Sequence, residues 1–102
     1  MIKIVEEKIE QIIALSKLHC VTSIALFGSA AKETMNEDSD IDFLVQFSED
    51  LYLLDYADNY FFFLEKLEAL MGRKIDLVTQ KSLRNSVLIE EIEKTKVELY
   101  AA

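Results

Sequence analysis

A chain of 102 residues with a net charge of −8, from 19 acids against 11 bases, excludes a stable polynucleotide-binding role, because a phosphate backbone is gripped through a basic groove. Its 51% hydrophobic content suits one small folded domain spanning residues 1–102, with no second domain to recognise a substrate. Cys20 is the single cysteine and forms no internal disulfide, no apolar run reaches membrane length, and the charged N-terminus is unlike a leader, so the expected location is the cytoplasm.

In chain order the pattern predicts helix, strand, short helix, strand, long helix, strand, helix and short strand. The first helix gathers Val5, Ile9, Ile12 and Ile13 on one face and puts Glu6, Glu7, Glu10 and Lys17 elsewhere, as a helix packed on a sheet does. Ile24-Ala25-Leu26-Phe27 reads as a strand running into Gly28, Ala30-Ala31-Lys32 as the start of a short helix, and Ile41 to Val45 as a second, alternating strand. Residues 53–71 form the long helix. One apolar stripe on it holds Tyr52, Tyr56, Tyr60, Phe63, Leu67 and Leu70, and an adjacent one holds Leu53, Ala57, Phe61, Leu64 and Met71. Together the stripes cover an arc of about 200°, roughly twice what one-sided packing needs. This helix is therefore expected to pack on the sheet with one flank and to meet a partner, or a second copy of the chain, with the other; the alternative is that its aromatics all fill the core. Lys74 to Val78 alternates as a third strand around Asp76, Leu83, Val87 and Ile92 share a face of the last helix, and Val97 to Tyr100 closes the chain as a strand. The fold class is α+β, a small mixed β-sheet flanked by helices.

The chemistry concentrates in Gly28-Ser29, followed after ten residues by Asp40-Ile41-Asp42. Gly28 lets backbone N–H groups approach a phosphate, Ser29 adds a hydroxyl donor, and a helix beginning at Ala30 offers its positive end to an anion, with Lys32 as a further cation. Asp40 and Asp42, two apart on an extended strand, project from one face and can share a metal site. Carboxylates together with nucleotide phosphates are the usual seat of Mg²⁺. Asp76, flanked by apolar residues, is costly there without a partner. If its strand lies beside the one carrying Asp42, the three acids could hold two ions about 3.5–4 Å apart, with Asp76 nearest the attacking hydroxyl. His19 lacks a nearby nucleophile or ligand set and reads as structural.

These residues resemble the minimal nucleotidyltransferases of the DNA polymerase β superfamily, through Gly28, Ser29, Asp40 and Asp42 at that spacing, the Asp-Ser-Asp-Ile-Asp run from Asp38 to Asp42, Asp76 in Ile-Asp-Leu-Val, and the closing Val97-Glu98-Leu99-Tyr100. The resemblance implies a polymerase β-like palm in which Asp40, Asp42 and Asp76 are catalytic and hold Mg²⁺, while Gly28, Ser29 and Lys32 bind ATP. It further implies an antitoxin that transfers AMP from ATP to a tyrosine hydroxyl of a HEPN-domain toxin. In this short chain the acceptor-binding half would be supplied by that partner. Glu33 stands where the family commonly has glycine, adding negative charge near the triphosphate, so the alternative is a binding module that neutralises its partner by occlusion.

Overall fold

A computed structural model describes residues 3–28, 31 and 40–102. Four strands, β1 (Val21–Phe27), β2 (Ile41–Phe47), β3 (Ile75–Thr79) and β4 (Val97–Ala101), form one mixed sheet in the order β3-β2-β1-β4. β1 runs antiparallel to both β2 and β4, whereas β2 and β3 are parallel. The helices are α1 (Lys3–Glu7), α2 (Ile9–Leu18), α3 (Leu53–Met71) and α4 (Ser86–Thr95), with a 3₁₀ turn at Gln80–Ser82. The parallel β2–β3 pair requires a crossover, which α3 supplies.

Alternation decides which residues meet the helices. Along β2, Ile41, Phe43, Val45 and Phe47 turn to one face and are buried with Ile24 and Leu26 of β1. Val5, Ile12, Phe63, Leu67 and Met71 from α1, α2 and α3 complete that core. Phe47 meets Phe63 edge-on, with ring centroids 6.2 Å apart, and Tyr56 at 5.2 Å. Such contacts are worth about 0.5–1.5 kcal/mol each beyond the area they bury. Ala25 and Leu44, cross-strand neighbours on the opposite face, are buried as well, so that face is covered in part.

The expected first helix is broken at Lys8 into α1 and α2, yet Val5 and Ile12 both still reach the core. At the end of α2, Cys20 takes φ +63°, a left-handed turn that usually selects glycine, and its carbonyl accepts a hydrogen bond from Ser48 N–H at 2.8 Å. α3 spans the predicted residues, and Gly72 at φ +64° ends it, its N–H donating to Glu68 O at 2.9 Å. Met71 belongs to the buried stripe rather than the outer one, because Phe63, Leu67 and Met71 recur at helical spacing. The last helix departs more. Only Ile92 is buried, Val87 is exposed, and Leu83 precedes the helix. The short helix expected after Gly28 falls largely outside the described residues. Among the described residues no helix is long and apolar enough to cross a membrane.

Candidate active site

The sheet register brings the separated motif residues together. Phe27, the last residue of β1, pairs with Asp42 of β2, so Gly28 follows directly beside that carboxylate. Gly28 has φ +68°, and a Cβ placed there would collide with Asp42 Oδ2 and lie 3.3 Å from Asp42 Cγ. Glycine is required twice over, by conformation and by space.

Across the parallel pair Asp42 stands in register with Asp76. Both side chains turn away from the core face that takes Ile41, Phe43, Ile75 and Leu77, and Asp42, when protonated, can donate a side-chain hydrogen bond to Asp76. Burial, then the Asp76 charge and that hydrogen bond, and finally the more distant Asp40 raise the Asp42 carboxyl from 3.8 to about 6. Asp40 lies just before β2 and is exposed, and of the two acids acting on Asp42 it is the weaker. Among the described residues no three acidic, His or Cys side chains stand close enough to enclose a metal ion by themselves. A cation here would be met first by the Asp42–Asp76 pair, with Asp40 the weaker neighbour of Asp42. Asp42 is half-buried, whereas Asp76 is exposed, so burial does not make Asp76 costly as its apolar neighbours in sequence suggested; two carboxylates that repel one another suit a cation between them. Ser29 and Lys32, expected at the phosphate seat, and Glu33 beside them lie outside the described residues.

Sequence reasoning did not find the support behind Asp76. Tyr60 Oη on α3 donates to Leu77 O at 2.6 Å, and Glu68 Oε2 accepts from Ile75 N–H at 3.3 Å. A tyrosine in an otherwise apolar stripe is the available signal, since a half-buried phenol seeks a polar partner. On the helix side of β3 an apolar pocket of about 420 Å³ lies between Tyr56, Ala57, Tyr60 and Phe61 of α3 and Leu77 and Thr79. Alternation along β3 puts Asp76 on the opposite side from Leu77, so this pocket is not where the carboxylates work.

A glycine turn pressed against paired carboxylates on neighbouring strands of a small mixed sheet defines the palm of a nucleotidyltransferase. Residues 5–99 match the family described as the nucleotidyltransferase domain, and the chain belongs to that family. It is 37% identical over 86 residues to the protein adenylyltransferase MntA of Thermococcus cleftensis, covering 79% of this chain and 83% of that relative. The fold matches a solved minimal nucleotidyltransferase with a TM-score of 0.73 and 31% identity, over 91% of this chain and 90% of the other. It also matches a crystal structure of a toxin–antitoxin pair with AMP-PNP, with a TM-score of 0.70 and 25% identity, over 92% of this chain and 73% of that one.

Proposed function

We propose that the protein acts as the antitoxin of a two-protein system, transferring AMP from ATP, with Mg²⁺, to a tyrosine hydroxyl of a HEPN-type toxin. The contact between Gly28, Asp42 and Asp76 carries the reading, because it places a phosphate-accommodating turn against two carboxylates. The kinship with MntA supports the adenylyl transfer, and the likeness to a toxin–antitoxin structure containing AMP-PNP supports the antitoxin role and the nucleotide.

In this mechanism the acceptor oxygen attacks the α-phosphorus of ATP, a new O–P bond forms, the bond to the β-phosphate breaks, and pyrophosphate departs. Asp76 takes the proton of the hydroxyl and orients its oxygen. Asp42 and Asp76, helped by Asp40, would hold the nucleotide through Mg²⁺, which when bound would neutralise the charge gathering on the phosphates. Gly28 and Ser29 seat the β- and γ-phosphates, with Lys32 as a nearby cation. The chain's own contribution is positioning and charge complementarity rather than a covalent step.

The partner is expected on the outer flank of α3. Leu53, Leu54 and Phe61 are 81%, 79% and 65% exposed there, with Tyr52 and Phe62 also open to solvent. From Asp40 to Glu65 the chain carries seven acids and no lysine or arginine, so an apolar surface with a basic rim complements this patch, whereas a second copy would set like charges together. The same patch suits an antitoxin acting by occlusion alone. Titration calorimetry with ATP and Mg²⁺ separates the two readings. The transferase should bind ATP in a Mg²⁺-dependent manner that Asp42→Asn abolishes; binding of a HEPN-domain toxin with no Mg²⁺-dependent ATP binding would leave only occlusion.

A further inference from the structure

Helix α3 grips the backbone on both sides of Asp76. Glu68 Oε2 accepts the Ile75 N–H at 3.3 Å, and Tyr60 Oη donates to the Leu77 carbonyl at 2.6 Å. Among the described residues β3 is an edge strand, bonded to the sheet only through β2. Ile41 N–H donates to Lys74 O at 3.2 Å, which fixes the alternation: Lys74, Asp76 and Val78 direct their peptide groups at β2, and Ile75 and Leu77 direct theirs outward. The two outward groups that α3 takes up are therefore those of the residues immediately before and after Asp76.

We propose that Tyr60 and Glu68 are positioning residues that hold Asp76 opposite Asp42 by fixing the Ile75 N–H and the Leu77 carbonyl, the outward backbone groups of its two neighbours. The inference rests on reading Asp76 as a working carboxylate of the transfer site. A five-residue edge strand with one bonded neighbour frays readily, and a misplacement of about 1 Å at a reacting group can cost about a hundredfold in rate. Both arms of the clamp spring from one rod whose own placement is secure, since Phe63 and Leu67, lying between Tyr60 and Glu68 in sequence, are fully buried. Burial and the nearby Asp76 charge both oppose ionisation of Tyr60, so its hydroxyl stays a donor at neutral pH. The sequence presents Tyr60 only as part of an apolar stripe and Glu68 only as a helix acid. The fold gives both a role in the site without letting either touch the reacting atoms.

The test needs no partner. Mn²⁺ affinity is read by electron paramagnetic resonance, and hydrogen exchange of the Asp76 amide, which faces β2, by NMR. The Tyr60→Phe, Glu68→Ala double variant should lose tenfold or more in Mn²⁺ affinity and exchange its Asp76 amide at least tenfold faster, with the Ile24 amide unchanged. Tyr60→Phe combined with Glu68→Gln, which keeps an oxygen acceptor, should recover much of both. Leu70→Ala loosens α3 away from the clamp and should change neither. A double variant with wild-type Mn²⁺ affinity and wild-type Asp76 exchange overturns the proposal, as does a Leu70→Ala variant that reproduces the losses. In a wild-type protein that binds no Mn²⁺ the metal reading fails by itself, and the Asp76 amide alone upholds or overturns the clamp.

Discussion

Replacing Asp42 by asparagine should make the metal-free protein more stable at neutral pH while removing its activity. The Asp42 carboxyl sits at about 6 against 3.8 for the free group, so the folded state favours its protonated form. The stabilisation this brings is fully present below 3.8 and is lost as pH rises through about 6, leaving the ionised pair with Asp76 as a liability above that. Moving a carboxyl over that interval corresponds to about 3 kcal/mol at 1.36 kcal/mol per tenfold. The side chain is only partly buried, and solvent screening reduces the figure to about 1 kcal/mol. The amide is neutral at every pH and can donate permanently to Asp76. Thermal unfolding followed by circular dichroism at pH 7.5, without divalent ions, should therefore place the Asp42→Asn midpoint about 4–8 °C above wild type. The gap should narrow by pH 4.5, and millimolar Mg²⁺ should stabilise wild type but not the variant. A variant less stable than wild type at pH 7.5, or a gap that does not change with pH, would refute the electrostatic account of this pair.

Gly28→Ala puts a methyl group against Asp42 Oδ2 at a positive φ, and should cost about 1–3 kcal/mol and most of the ATP affinity, read by chemical denaturation and calorimetry. Cys20→Gly should do the opposite, since φ +63° strains a side chain but not glycine; a gain of about 0.5–1 kcal/mol in urea unfolding is expected, net of the added freedom of the unfolded chain. Leu54→Asp, on the exposed flank of α3, should leave the unfolding midpoint within about 2 °C of wild type while weakening binding of a HEPN-domain toxin tenfold or more by surface plasmon resonance.

The parts of this fold that were legible in the sequence are those set by local period. The bounds of α3 follow from its two stripes and from Gly72, and the alternation around Asp42 and Asp76 gives both strands and the face each carboxylate takes. The contact between Gly28 and Asp42 comes from the β1–β2 register, which pairs Phe27 with Asp42 and which no local pattern encodes. Register was harder. That Asp42 and Asp76 stand directly opposite depends on the β2–β3 pairing, which the sequence could pose only as a condition. The break at Lys8 and the left-handed turn at Cys20 were hidden because neither position carries glycine or proline. Asp40 was expected to share a strand with Asp42, but β2 starts one residue later and leaves Asp40 exposed. The support that Tyr60 and Glu68 give to β3 joins residues distant in sequence, a link that no local pattern encodes.

The central claim is transfer of AMP through Asp42 to a protein hydroxyl. Its most direct test incubates a HEPN-domain toxin with ATP labelled at the α-phosphate, Mg²⁺, and either wild-type protein or Asp42→Asn, then maps the modified peptide by mass spectrometry. The account predicts label on a toxin tyrosine with wild type and none above background with the variant. Equal labelling by the two proteins, or a wild type that neutralises the toxin without labelling it, would contradict it.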